Sequence, residues 1–339
     1  MWIVGLAAVV FNTAVIGCRL IMDLGNKVQN VLICNLALSD MVMGIDMLIL
    51  TSVDLYYSDY CIISFSENWI KGPLCKIASA LSTLSSEASV LLVLVIGLDR
   101  FLGVRYPLGV HRGLGSTRMR ILVSISWVVS VIIGVAPVGI DSFFPGFYEI
   151  SEVCVGLPIV KKVITSEEVK VTHSNTRYDL FQIETRSVFV EHNGTSSIQD
   201  DLYRVFYGVF ADDIYSRIAH VSGHRVASYL SIIVYIGINL ICFATIAVFY
   251  IRIFQIARSS SKKVQSTAEK KELRMAFKMS TVVLTDFFCW VPLALVCLFV
   301  QCSAFTVGPE MYAWTVGLIL PINSAINPFL YTLAIAMGN

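Results

Sequence analysis

Charge is scarce in this chain. Of its 339 residues only 14% are Asp, Glu, Lys or Arg, against 56% hydrophobic, and the mean hydropathy is +0.74. That balance excludes an ordinary soluble domain and identifies an integral membrane protein. Histidine is scarcer still: the five present, His111, His173, His192, His220 and His224, all fall in connections between apolar runs. An intramembrane zinc hydrolase would have no ligands at depth. Internal repeats with broken helices, the mark of many secondary transporters, are also lacking. An ion- or proton-coupled transporter stays as the alternative only through two intramembrane acids, Asp40 and Asp286. The formal net charge of +1 gives no case for a nucleic-acid partner, because topology and attraction to anionic membrane lipid account for the basic residues.

Apolar runs, by contrast, are plentiful. A scan for stretches of about 20 apolar residues finds seven, at roughly 2–21, 27–52, 76–99, 120–140, 227–251, 276–300 and 311–335. The expected fold is an all-α bundle of seven transmembrane helices. Basic residues set its orientation. The first, third and fifth connections carry Arg19 and Lys27, then Arg100, Arg105, Arg112, Arg118 and Arg120, then a series from Arg252 through Lys262 to Lys278. The second connection holds Lys71, with Lys76 at its edge, and Gln301 to Glu310 has no basic residue. This places the N-terminus outside and the C-terminus in the cytoplasm, in the plasma membrane.

Met1-Trp2 lies already within the first span, with no charged region and cleavage site before it, so no signal peptide is expected. The abrupt ends, at Met1 and at Gly338-Asn339, fit either a compact receptor core or a fragment of something larger.

Among nine cysteines, Cys18, Cys34, Cys242, Cys289 and Cys297 lie within or near spans, where a reduced thiol packs as a small apolar group. Cys75 and Cys154 fall on the outer side, where a bridge between them would persist. Cys61 and Cys302, also outside, could pair with each other or with a further partner, but nothing in their spacing demands it and free thiols are the expectation. The outer segment 155–226 is a long insertion, far beyond ordinary loop lengths, and is expected to be disordered. Within it Asn193-Gly194-Thr195 is an acceptor triplet for glycosylation.

Polar groups inside the spans carry the functional signal, since each is costly in hydrocarbon. Asp40 in the second span needs partners, and Ser89, Asn323, Ser324 and Asn327 are the candidates. Together they supply a carboxylate and neutral oxygens suited to a small hard cation such as sodium, or to a water cluster; the alternative is a hydrogen-bonded network without an ion. Asp99-Arg100 closes the third span, and Glu272 precedes the sixth. An Arg100–Glu272 bridge would be a bistable element; the alternative is two solvated charges. Pro292, just after Trp290, removes a backbone hydrogen bond and makes a hinge in the sixth span. Asp286, four residues before Trp290, is placed to bond Asn323 or Asn327.

These residues in this order resemble the rhodopsin-like G-protein-coupled receptors. The resemblance runs through Asn12, Asn35-Leu36-Ala37-Leu38-Ser39-Asp40, Cys75, Asp99-Arg100-Phe101, Trp127, Cys154, Cys289-Trp290-Val291-Pro292 and Asn327-Pro328-Phe329-Leu330-Tyr331. Phe101 replaces the family's usual tyrosine. Ser86-Glu87-Ala88-Ser89, Asp286 and Leu320-Pro321-Ile322-Asn323-Ser324 look most like the leucine-rich-repeat-containing, relaxin-receptor-like group, whose large ligand-capturing domain is not represented before Met1. The resemblance implies a receptor and no enzyme, a peptide or protein hormone as ligand, and a heterotrimeric G protein of the stimulatory type as partner. It also implies that Tyr250 and Tyr331 stabilise an opened cytoplasmic mouth. Ser82 stands where amine receptors have aspartate, seven positions after Cys75, and the last span lacks the lysine that retinal would need. Both identities argue against those ligands.

Overall fold

The computed structural model describes residues 1–21, 27–57, 69, 72–106, 113–143, 178–183, 186–191, 234–259, 267–301 and 320–336. Seven helices lie among them: α1 (Trp2–Ile21), α2 (Lys27–Tyr57), α3 (Pro73–Arg105), α4 (Ser116–Phe143), α5 (Val234–Ser259), α6 (Thr267–Gln301) and α7 (Leu320–Ala336). Five of them, α1 to α5, contain described stretches long and apolar enough to cross a membrane.

Several helices run past the apolar windows in the sequence. α2 has 31 residues, α3 33, α4 28 and α6 35. A window of about 20 apolar residues sees only the part in hydrocarbon, whereas backbone hydrogen bonding continues through polar turns beyond it. The start of α3 is set by Pro73 at its first turn, after Gly72 in an extended conformation. Its end is marked by the Tyr106 amide, which donates to the Leu102 carbonyl at 2.9 Å.

The chain divides into two units, residues 1–159 with 227–339, and residues 160–226. In the first, α1 packs on α2 and α7, α3 packs on α2, α4 and α6, and α7 also meets α2 and α6. α3 is the central helix. Of its most apolar stretch 72% is buried, against 22% for α1, 28% for α4 and 33% for α5. Leu32 and Leu36 of α2, Leu92 and Ile96 of α3, Ile246 of α5 and Trp290 of α6 belong to one apolar core.

The outward faces are inverted relative to a water-soluble bundle. On α4, Ile121, Ile125, Val128, Ile132 and Val135 form an exposed stripe at helical spacing, while Ser126 and Ser130 of the same helix are buried. Because lipid gives no hydrophobic drive to helix association, close packing has to hold the helices. At the α1–α2 crossing a Cβ on Gly44 would lie 2.9 Å from the Ala8 Cβ and 3.0 Å from the Gly5 carbonyl, so the two backbones nearly touch.

In the second unit, β1 (Tyr178–Ile183) and β2 (Arg186–Glu191) form an antiparallel hairpin with Tyr178 opposite Glu191 and Ile183 opposite Arg186. The seven helices are those expected from the sequence, and this pair of strands lies within the insertion 155–226 that the sequence reads as disordered. Its segments, Tyr-Asp-Leu-Phe-Gln-Ile and Arg-Ser-Val-Phe-Val-Glu, are rich in residue types that favour strands. Six-residue strands are too short to register in a search for long apolar runs.

Candidate functional site

Three groups of buried polar residues line the interior of the bundle. The first ties α7 to its neighbours. Asn327 is fully buried and its Nδ2 donates to Asp40 Oδ2 of α2 at 3.0 Å. Asn323, one turn earlier on α7, donates to Asp286 Oδ1 of α6. Asn12 of α1 donates to the Ser324 carbonyl at 3.0 Å. Pro328 lies inside α7, so the helix gives up part of its own hydrogen bonding where these side chains take hold. Ser89 Oγ, Asn323 Oδ1, Asn327 Oδ1 and Asn12 Oδ1 are buried without a hydrogen-bond partner. Neutral oxygens of this kind, with a carboxylate such as that of Asp40, are donor chemistry a small hard cation accepts.

One turn along α6 from Asp286 is Trp290, 5% exposed, its ring 5.6 Å from that of Tyr235 on α5. Pro292 follows inside α6. The tryptophan therefore links α6 to α5 directly beside the helix irregularity.

The second group sits at the Arg100 end of α3. Arg100 is paired with its neighbour Asp99, and its Nη1 also lies 3.7 Å from Met275 Sδ of α6. Asp99 Oδ1 accepts from the Leu114 amide at 2.8 Å, which secures the segment before α4. Gly113 makes that contact feasible: it has φ of 81°, and a Cβ there would lie 2.5 Å from Asp99 Oδ1. Gln29, Leu32, Ile33, Ile96, Asp99, Arg100 and Met279 line a small cavity at this end. Tyr250 packs beside Val104, Ile253 and Ala276, and its hydroxyl is buried without a partner. Glu272 and Tyr331 lie on α6 and α7, and their side chains fall outside the described residues. Met275, which Arg100 reaches, is one turn along α6 from Glu272.

The third group joins acids of α2 and α3 to their neighbouring helices, a pairing that the sequence does not indicate. Glu87 on α3 is fully buried, and Asn239 Nδ2 of α5 donates to its Oε1 at 2.6 Å. Asp46 on α2 is 1% exposed and faces the Ser82 hydroxyl of α3 within hydrogen-bonding reach. The available signal was an acid interrupting an apolar run, the same one that picked out Asp40.

Two further placements complete the site. Cys75 is buried and disulfide-bonded, and Cys154 and Asn193 lie outside the described residues. Trp127 on α4 donates to Asn35 Oδ1 at 2.9 Å, fastening α4 to α2.

The chain matches the family described as 7 transmembrane receptor (rhodopsin family) over residues 12–158 and 217–331. It is 32% identical to G-protein coupled receptor GRL101 of Lymnaea stagnalis over 100% of this chain and 25% of that protein. It is 26% identical to relaxin receptor 1 of Mus musculus over 98% of this chain and 36% of the relative. The chain thus spans about a quarter to a third of the curated relatives it matches. In structure it is similar to squid rhodopsin, with a TM-score of 0.51 at 15% identity, covering 99% of this chain and 81% of that one. Nothing in these comparisons supports a transporter. The chain belongs to the rhodopsin family of seven-transmembrane receptors, multi-pass proteins of the plasma membrane.

Proposed function

We propose that this chain is the membrane-spanning signalling unit of a receptor that passes an extracellular peptide or protein hormone signal to a heterotrimeric G protein by helix rearrangement. The observation that carries this reading is the double hold on α7, Asn327 on Asp40 of α2 and Asn323 on Asp286 of α6. A helix gripped through polar contacts from two sides has discrete alternative arrangements, and a ligand that prefers one of them shifts the population. Similarity to proteins named as a G-protein coupled receptor and relaxin receptors supports both the transducer and the ligand class.

In this mechanism the Cys75 end faces outward and the Lys- and Arg-rich connections face the cytoplasm. A contact at the outer end biases α6 around Trp290 and Pro292, and the amides of α7 exchange partners. Arg100 leaves Glu272, and Tyr250 and Tyr331 hold the opened mouth. The G protein docks at Arg100 and at the basic segments around Arg112 and Lys262 to Lys278. Asp40, Ser89, Asn323, Ser324 and Asn327 would hold a sodium ion, whose charge would stabilise the resting arrangement.

The test is nucleotide exchange on a panel of purified G proteins, in membranes containing the native chain, Glu272→Ala or Arg100→Ala at matched expression. Exchange that rises with the first change and falls with the second is expected. A well-expressed native chain and Glu272→Ala that are both silent on every G protein would sink the signalling reading.

A further inference from the structure

We propose that Glu87 and Asp286 are proton-binding sites of the bundle, each holding one proton between its carboxyl group and the side-chain amide of a facing asparagine. The proposal goes beyond the receptor reading above and does not depend on it.

Two pairs on different helices leave the same kinds of atom unsatisfied. Glu87 of α3 is fully buried, and Asn239 of α5 is 1% exposed. Asn239 Nδ2 donates to Glu87 Oε1 at 2.6 Å and to the Tyr235 carbonyl at 2.8 Å, so both of its hydrogens are committed and the amide's orientation is fixed. The remaining atoms of the pair, Glu87 Oε2 and Asn239 Oδ1, are buried without a hydrogen-bond partner. Between α6 and α7 the arrangement recurs. Asn323 Nδ2 donates to Asp286 Oδ1, and the buried atoms without a partner are Asp286 Oδ2 and Asn323 Oδ1.

Two such oxygens cannot satisfy each other, because an amide oxygen only accepts and so does an ionised carboxylate. A proton on the second carboxyl oxygen changes that. It converts an acceptor into an O–H donor aimed at the amide oxygen. The planar acid and the planar amide are then joined by two hydrogen bonds running in opposite directions, and one proton satisfies both orphaned atoms. The cost of burying unpaired polar groups is thereby removed at each site.

Charge leads to the same assignment. An isolated carboxylate in an apolar interior costs far more than the neutral acid. Among the described residues no Lys or Arg pairs with either acid. The titratable groups facing them are thiols, Cys242 of α5 beside Glu87 and Cys289 of α6 beside Asp286. A buried water could donate to both free oxygens of a pair, but it would leave the negative charge uncompensated.

The test is difference infrared spectroscopy on the purified chain in lipid nanodiscs at neutral pH, native against Glu87→Gln and Asp286→Asn, in H2O and in D2O. Each variant is expected to lack one carboxylic-acid carbonyl band of the native chain, and each such band should shift in D2O. Loss of a carboxylate band in place of an acid band overturns the site concerned, and is the outcome that a bridging water would give. Should a variant fail to fold, Asn239→Ala or Asn323→Ala takes its place. The acid band of the facing residue should then move as its carbonyl loses a donor; an unmoved spectrum is equally fatal. A second readout is thermal unfolding. Carboxyl groups released to water ionise at neutral pH, so a folded state that holds these protons loses stability as pH rises, by up to about tenfold in the folding equilibrium per proton and pH unit. The melting temperature of the native chain should therefore fall between about pH 6 and about pH 8, and fall less in the Glu87→Gln, Asp286→Asn double variant. Identical pH dependence in the two proteins overturns the proposal. Neither readout involves a G protein, so a chain that shows both acid bands yet is silent in nucleotide exchange loses the signalling role alone.

Discussion

Asn327 donates to Asp40 at 3.0 Å, joining α7 to α2 across 287 positions of sequence. Ser89 on α3 adds a buried hydroxyl without a partner, and Asn323 and Asn327 add amide oxygens in the same condition. If these oxygens hold sodium, the native chain should unfold at a higher temperature in sodium chloride than in choline chloride. Asp40→Asn should abolish that difference. Identical sodium dependence in both proteins would leave the group as a hydrogen-bonded network without an ion.

Glu87 and Asn239 form a buried pair at 2.6 Å between α3 and α5. Asn239→Ala strands the carboxylate, so it should destabilise the bundle by about 1–3 kcal/mol. Glu87→Gln in that background should recover part of the loss. A double-mutant cycle read by thermal unfolding should give a coupling of about 0.6–1.7 kcal/mol. A coupling of zero would mean the contact contributes nothing to the fold.

Gly44→Ala pushes a methyl group into Ala8, Val9 and the Gly5 carbonyl, each within 3.0 Å. Overpacking of this kind costs about 1–3 kcal/mol. The folded yield on detergent extraction should drop measurably. Gly17→Ala, which meets nothing within 4 Å, serves as the control and should leave the yield unchanged.

Gly113→Ala combines an unfavourable φ of 81° with a Cβ placed 2.5 Å from Asp99 Oδ1. The left-handed conformation alone costs about 1–2 kcal/mol. Its expected effect is to break the Leu114 to Asp99 contact and change ligand-independent nucleotide exchange without lowering the melting temperature of the bundle by more than a few degrees. Basal exchange equal to that of the native chain would show that this contact has no part in signalling.

Cys75 is buried and disulfide-bonded at the start of α3. Cys75→Ala should reduce surface expression, as counted by antibody labelling of intact cells. Native surface levels together with native thermal stability would remove any structural need for the bridge.

The membrane class and seven-helix fold could be read from the sequence because hydrocarbon permits few ways to satisfy a backbone. Asp40 and Asp286 stood out for the same reason, as acids inside apolar runs, and each proves to meet an amide of α7. Asp46 and Glu87 are acids in apolar spans as well, with no role assigned to them by the sequence. Asp46 has no polar neighbour in sequence, Glu87 is one of several polar residues in a row, and their partners, Ser82 and Asn239, come from other helices. Lateral pairing of this kind depends on helix rotation, which a one-dimensional pattern does not determine. Helix ends lie beyond the apolar windows, since hydropathy reports the thickness of the lipid and not the length of the helix. The β1–β2 hairpin depended on a pairing between segments too short to detect by apolar length.

The near-contact of the α1 and α2 backbones at Gly5 and Gly44 divides labour within the bundle. Two rods meshed so closely cannot slide or rotate past each other without collision, which makes them a fixed frame within the bundle. Moving parts must be sought among helices joined by side chains that can exchange partners, and α6 and α7, each interrupted by an internal proline, are so joined. A probe pair on α1 and α2 would therefore supply a fixed ruler against which the displacement of α6 can be measured.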